Sequence, residues 1–576
     1  MGRLSTAEAF RLQARRRLRR ALPRKPVAGG RTPAFQPVPT GPLFANEAAG
    51  LRIARGVWEH GGTRLEVGEG GHPFSTTLPS ERFATWVHSF SWLPDLLGVE
   101  GGVAVARRLV HDWQAAFPAK TPNSFIDAPD LAAQRLFHWG WVWDDIVGQR
   151  AGDADTLRAR YAAQMRRLRA DASELSPGLS VLRAEAAGVM FGARHVENAD
   201  AWLQRGLDRL DAALREQILP DGGHITRSPQ ATVQALEIAL VTDGVLSARG
   251  LSGSPALGRA IDRLGPMIQT LRHTDGRLGV FHGGAEGSGE HIDALLEAAP
   301  GEASAFAYGP HMGFHRVEAG ETVLLVDTLG TPPRPYDLEA HLSPLAMELS
   351  TAEGRLIVNC GHHPDAAPRW SRPVRAAAAH STLIVDGRSP GVIIEDGLKF
   401  DAFGPAVDVT PGEVRARRKE QASGVWLETA HDGYKPAYGL VHRRRLFVGD
   451  DGDDVRGEDS LFVPLGDAPV RRDRVPFTVR FHFHPDVRVS LAQDLSSALL
   501  VLKGRAGWRF RTDAGPLAVE PSVYLGGSAK PVRAQQLVIR GNALGDGDGQ
   551  GRDNRVRWSL RRLKARKGAG AGETAS

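Results

Sequence analysis

The chain has 576 residues, more than one hydrophobic core ordinarily serves, so two or more large domains are expected. Its 42% hydrophobic content and mean hydropathy of −0.26 fit a soluble globular chain, and a single cysteine, Cys360, excludes an internal disulfide and any multi-cysteine zinc or iron–sulfur centre. The net charge of +6 is concentrated at the ends: residues 1–25 hold nine Lys and Arg against Glu8, and residues 552–567 hold eight against Asp553. The long middle is therefore net negative, and overall basicity implies no anion site in the folded domains.

In chain order, residues 1–28 read as a basic N-terminal arm. TAEAFRLQARRRLRRAL lacks the uninterrupted apolar stretch of a secretory signal, which leaves the cytoplasm or the inner membrane face as the expected compartment. A solvated arm is the plain expectation; a basic helix in peripheral contact with an anionic membrane is the other. No apolar run approaches the roughly 18–20 residues that a membrane span requires. Residues 29–82, rich in Gly and Pro, read as an irregular lead-in with two short strands. From 83 to 305 the apolar spacing is helical: Leu203, Leu207, Leu210, Leu214 and Ile218 share one face, and Pro220 with the glycines after it ends that helix. RLFHWGWVWDD sets Trp139, Trp141 and Trp143 close together, and tryptophan faces can stack on sugars, although helical spacing cannot put all three on one side.

Residues 306–545 change to period two. GFHRVEAGETVLLVDTLG reads as two strands around a Gly-containing turn, and RLIVNC, STLIVDG, VWLETAHDGY, LVHRRRLFVG, FTVRFHFHP, ALLVLKG, WRFRTD and AQQLVIRG follow at strand spacing. The expected fold class is thus α+β multidomain, with an N-terminal helical domain followed by a C-terminal antiparallel β-sandwich. Residues 546–576 read as a basic, disordered tail. Cys360, inside LIVNC, reads as an inert core thiol. HRRR at His442 to Arg445 reads as an edge or interface strand, and no nucleic-acid motif accompanies it. His482 and His484 alternate onto one strand face, a polar face before a metal site.

Several segments together resemble the heparinase II/III-like family of polysaccharide lyases: LPDGGHITRSP (Leu219 to Pro229), HLSPLAMEL (His341 to Leu349), RLIVNCG (Arg355 to Gly361), AAHSTLIVDG (Ala378 to Gly387), HDGYKPAYGLVHRRRLF (His431 to Phe447) and FHFHP. The resemblance implies an incomplete (α/α) toroid packed on the sandwich, an acidic polysaccharide bound between them, and β-elimination at a uronic acid. It also implies a periplasmic or cell-envelope setting, although no export signal is visible. Elimination needs a group that neutralises the sugar carboxylate, a base at C5 and an acid at the leaving oxygen. His224, Tyr336, His341 and His380 are the candidate catalytic residues, with Tyr308 an alternative base. Arg227, Trp139, Trp141, Trp370, Arg372 and Arg375 are the candidate sugar-binding residues.

The resemblance further implies a structural zinc at His341 and His380 with an acidic residue on the strand between them; here Asn359 takes that place, a neutral amide and a weak ligand, with Glu348 or Asp365 as substitutes. Other family positions also differ: an Asn-His pair falls on Leu179 and Ser180, a tyrosine on Ala231 and a histidine on Glu339. These departures leave a second reading open, a non-catalytic glycan-binding protein of the same fold. A glycoside hydrolase would need paired carboxylates, for which Asp144, Asp145 and Asp221 are the candidates.

Overall fold

A computed structural model describes residues 5–21, 32–118, 123–148, 151–196, 199–503 and 507–563. The helical half is two-layered. Glu81–Ser89, Pro129–Trp141, Leu179–Arg194 and Pro229–Ala248 pack side by side as an inner row, and Gly102–Ala116, Ala151–Ala170, Ala199–Gln217 and Pro255–Thr270 lie outside them. Such an open ring of helical hairpins is the incomplete toroid expected from the sequence. Ser80, Ser228 and Ser254 cap three of these helices by accepting the main-chain N–H three residues on.

The tryptophan run belongs to the core. Trp139 is fully buried against Phe90 and Trp113, Trp141 donates to the Gly41 carbonyl at 3.1 Å, and Trp143 stacks on Tyr161. All three are buried, so none offers an open face for a sugar to stack on. By length and composition Pro229–Ala248 could cross a membrane, an exception to the expectation that no run would, but 61% of its apolar stretch is buried, and it sits in the inner row packed against Leu179–Arg194 and, on the outside, Pro255–Thr270.

The C-terminal half holds two stacked antiparallel sheets. Leu446, Val455, Phe481, Phe510, Leu537 and Trp558 are part of the core between them. One sheet has eight strands in the spatial order Val414–Gln421, Gly424–His431, Val441–Gly449, Asp454–Phe462, Arg555–Arg562, Gly507–Thr512, Ser497–Leu502 and Val487–Leu491. The other, among the described residues, has nine, and it presents Phe314–Ala319, Thr322–Asp327, Met347–Thr351 and Gly354–Val358 toward the helical half.

Two expectations are corrected here. Residues 555–562 are not tail: they form a strand between Asp454–Phe462 and Gly507–Thr512, with Val556, Trp558 and Leu560 buried. Alternate arginines disguise this strand, because its outer face is charged while its inner face is core. HRRR is an interior strand for the same reason: Arg444 points inward, fully buried, onto Asp459, while Arg443 and Arg445 point out. Residues 564–576 of the expected tail lie outside the described residues. Thr6–Ala21 of the arm is a helix that packs on Gly397–Phe403, with Ala9 buried and Phe10 and Leu18 exposed.

Candidate active site

The loop after Ala199–Gln217 is wedged against the seam between the two halves. Gly222 has φ +89°, and a Cβ there would lie 1.9 Å from the Arg263 carbonyl oxygen; a Cβ on Gly223 would strike Met312. This delivers His224 and Arg227 into the interior, not into a cleft. His224 is fully buried, with Nδ1 2.7 Å from Thr226 Oγ1 and Nε2 3.2 Å from Gln217 Oε1; burial and nearby Arg183 push it down to about 3. Arg227, at φ +57°, donates to the Met312 and Gly330 carbonyls and forms an ion pair of 2.5 Å with Asp327. Arg227 fastens the halves together and His224 is tied within the helical half, so neither fits the catalytic and sugar-binding roles expected of them.

The histidine chain continues from that ion pair. His282 Nδ1 accepts from the His341 main-chain N–H at 3.1 Å, so its proton sits on Nε2, 3.0 Å from Asp327 Oδ2. His341 Nε2 accepts from the Gly283 N–H at 2.9 Å, and its Nδ1 faces both the His282 main-chain N–H at 3.1 Å and His380 Nε2 at 2.8 Å. The Ala376 carbonyl can only accept, so His380 Nδ1 carries a proton toward it at 2.9 Å. Burial drives both rings well below the ordinary histidine value, His380 to about 4. The sequence pairs these two histidines correctly, but they form a buried hydrogen-bonded relay and not a substrate-facing pair.

The implied zinc does not fit these residues. Asn359 turns its amide to Glu348 Oε1 at 3.0 Å and its oxygen to the Ser381 N–H at 3.0 Å, and Glu348 spends its other oxygen on His273 and the Val280 N–H. Asp365 is engaged by His60 at 2.9 Å. Among the described residues no three His, Cys, Asp or Glu side chains converge as a metal site. A metal held at 100 times its dissociation constant would stabilise the fold by about 2.7 kcal/mol. Thermal unfolding with excess zinc or with a chelator is therefore expected to coincide with that of the untreated protein, and a clear rise with zinc would reinstate the site.

The other expected residues are also occupied. The Tyr336 hydroxyl donates to Glu216 Oε1 at 2.5 Å, and burial together with that carboxylate raises it well above the usual phenol range, the opposite of what a base needs. Tyr308 stacks on His315. Arg375 is buried, donating to the Ala340, Pro405 and Asp337 carbonyls; Arg372 pairs with Glu395 at the surface; Trp370 packs beside Val374 and Leu525. Of the carboxylates expected for hydrolysis, Asp144 accepts the Val38 N–H and Asp221 those of His311 and Met312, while Asp145 follows Asp144 in the helix Trp143–Ile146, where burial and Asp144 raise its carboxyl. His482 is bound to Ser522 and to the Ala378 carbonyl, and burial pushes the Cys360 thiol up to about 11.

What remains free at the seam is a group centred on His362. Its ring is buried, neither nitrogen has a hydrogen-bond partner, and Nδ1 lies 3.5 Å from Glu339 Oε2. Burial, then Arg82 and Arg375, pushes His362 down to about 4, so the ring is a neutral proton acceptor near pH 7. The Glu339 side chain is 55% exposed but set in a recess that raises its pKa against the pull of Arg375 and Arg82. Gly283, at φ +75°, makes room, since a Cβ there would come within 2.7 Å of the Glu339 Cβ. Arg82, from the first turn of Glu81–Ser89, has a buried Nη1 without a partner. A neutral imidazole, a carboxyl of raised pKa and a guanidinium with one unpartnered nitrogen thus meet from both halves of the chain. Sequence reasoning misses His362 although GHHPD directly follows the LIVNC strand; two histidines leaving a strand end at a domain seam are the available signal.

Buried neutral histidines also set the acid stability. His88, His138 and His380 are pushed to about 4, and His224 and His482 to about 3, mainly by burial. Their unfolded values lie near 6.5, so below that pH the unfolded chain binds protons that the fold refuses, and each unit of depression is worth about 1.4 kcal/mol. Stability is expected to be full above about pH 6.5 and to fall steeply toward pH 4, as read from urea midpoints across that range. A flat profile would contradict the burial of these rings.

A sequence profile described as heparinase II/III-like, C-terminal, matches residues 301–559, which includes most of the strand Arg555–Arg562. FtsZ-localized protein C of Caulobacter vibrioides is 35% identical over 561 residues, spanning 94% of this chain and 92% of its own. This chain belongs to the heparinase II/III-like family. Among solved structures, heparinase III superposes with a TM-score of 0.64 at 12% identity, covering 96% of this chain and 90% of the other. A heparan sulfate lyase from Pedobacter heparinus gives 0.57 at 14% identity, covering 97% and 89%. At these identities the likeness establishes the fold, a helical toroid on an antiparallel sandwich, and leaves the site to be argued from this family member's own residues.

Proposed function

We propose that this heparinase II/III-like protein is a polysaccharide lyase acting on a uronic-acid-containing glycan at the seam between toroid and sandwich. In this reading Arg82 neutralises the sugar carboxylate, His362 takes the C5 proton, the C4–oxygen bond breaks as the C4–C5 double bond forms, and Glu339 protonates the departing oxygen. The observation that supports it is His362, a buried histidine with both nitrogens unpartnered, beside a carboxyl of raised pKa. Incubation with a panel of uronic-acid glycans is expected to give the absorbance of an unsaturated uronate; reducing ends without unsaturation would mean hydrolysis and overturn the reading.

A second reading, glycan binding without cleavage, is favoured by Leu179 and Ala231. Both stand in the first turns of inner-row helices, where the family resemblance leads one to expect polar catalytic groups, and both carry only hydrocarbon. Tight binding with no product from any glycan would favour it. The relative's name links that protein to FtsZ, and at 35% identity we extend a cell-associated setting to this chain. Peripheral membrane contact through Thr6–Ala21, with Phe10 and Leu18 exposed among arginines, belongs to the same proposal.

A further inference from the structure

The outer face of the eight-stranded sheet carries arginines in register. Arg415, Ala430, Arg443, Ser460 and Arg555 stand opposite one another across five consecutive strands, a row with cations on every second strand and no acid between them. Neighbouring strands are about 4.8 Å apart, so these guanidinium-bearing positions recur at about 10 Å. The next row alternates Arg417, Glu428, Arg445, Glu458 and Arg557 by the same pairing. There Arg445 bonds both carboxylates and Arg557 bonds Glu458 at 3.0 Å, which fixes that row and uses up its acids.

The first row is different. Nε and Nη2 of Arg443, Oγ of Ser460 and Nε of Arg555 are buried atoms with no hydrogen-bond partner, and they belong to three side chains adjacent across three strands; Arg555 Nε has Glu458 of the next row at 3.8 Å, an ion pair beyond hydrogen-bond distance. Buried donors left without partners are costly, and a set of them on adjacent strands is what an oxyanion would satisfy. Arg443 also lies over Phe462, 5.1 Å from the ring centroid, and Arg415 is tethered to Glu413. Two rows away on the same face, Trp426 is 44% exposed and packs on Phe447, an apolar face beside the cations.

We propose that this sheet face is a second, non-catalytic binding surface for an acidic polysaccharide, with Arg443, Ser460 and Arg555 holding one carboxylate or sulfate and Arg415 the next. A linear acidic polymer can present one anion to Arg443, Ser460 and Arg555 and a further one to Arg415, and an exposed indole suits the C–H face of a sugar. An anionic membrane would want a field of exposed apolar anchors, whereas the rows around the site offer one, Trp426. The inference takes its ligand class from the proposed function but not its chemistry, because binding here requires no turnover.

The test uses the full chain at fixed salt with four probes: heparin, hyaluronan, poly-L-glutamate and phosphatidylglycerol vesicles. For the native protein at least one of the two glycans is expected to bind more tightly than polyglutamate or vesicles. Arg443→Ala with Arg555→Ala is expected to weaken that glycan tenfold or more and to lower the salt dependence of its affinity. Arg415→Ala, at an exposed edge position that cannot disturb the core, is expected to weaken it severalfold, which keeps the test valid should the double variant fold poorly. Unchanged glycan affinity in these variants overturns the proposal, as does tighter binding of polyglutamate or vesicles to the same residues. If no glycan yields an unsaturated product but the variants lose binding, the sheet site stands and the elimination reading falls. If a glycan yields product but binds the variants as tightly as the native protein, elimination stands and the sheet site falls.

Discussion

Replacing Asp327 by Ala is expected to destabilise the protein by about 3–5 kcal/mol, the cost of leaving a buried cation without its partner. Asp327 and Arg227 are 1% and 2% exposed, so solvent cannot take over the interaction. Burial alone would raise the Asp327 carboxyl, but Arg227 and His282 outweigh it and hold it below the usual carboxylate range. The pair links the loop after Ala199–Gln217 to the strand Thr322–Asp327, and through His282 it orders His341 and His380. Its loss therefore loosens the seam as a unit. Urea unfolding should show the loss as a lower midpoint, and adding Arg227→Met to Asp327→Ala should recover part of it, because the stranded charge is gone. A single-variant loss under about 1 kcal/mol, the size of an exposed pair, would mean that the seam does not depend on this ion pair.

That result would also explain why the fold is legible in the sequence and the site is not. Strand alternation survives in any register, so GFHRVEAGETVLLVDTLG and LVHRRRLFVG announce themselves, and Leu210, Leu214 and Ile218 mark the buried side of their helix from spacing alone. The fate of a polar side chain depends on partners that spacing does not encode. Arg227 meets a carboxylate 100 residues away, and the backbone is left-handed at both Arg227 and His282. Asn359 stands out in the sequence as the residue that spoils a zinc site, yet nothing in the spacing reveals that Glu348 claims its amide. The same limit explains Tyr336, whose partner Glu216 lies on a distant helix. Glu339 stands out in the sequence only as a departure from the family pattern; what gives it a role is His362, which no family position marks.

The largest functional effect is expected at that pair. His362→Ala should lower the rate of unsaturated-product formation by about 10²–10⁴-fold, the usual contribution of a positioned base, and Glu339→Gln should lower it on leaving groups that require protonation. The pH profile fixes the assignment. The base must be deprotonated, which holds above about pH 4 for His362, and the acid must be protonated, which holds only up to the raised value of Glu339. Initial rates should therefore follow a bell with its optimum on the acid side of neutrality, and Glu339→Gln should remove the alkaline limb while leaving the acid limb in place. Because buried histidines erode the fold over the same acid range, the limb near pH 4 must be read from enzyme incubated at that pH and returned to neutrality with full activity. An optimum above pH 8, or a His362→Ala variant with undiminished rate, would move the base elsewhere. Binding of an unreactive glycan gives the complementary measurement. If His362→Ala abolishes product while leaving glycan affinity within about twofold, the ring acts on the bond and not on the sugar, as a base that touches only the C5 proton should.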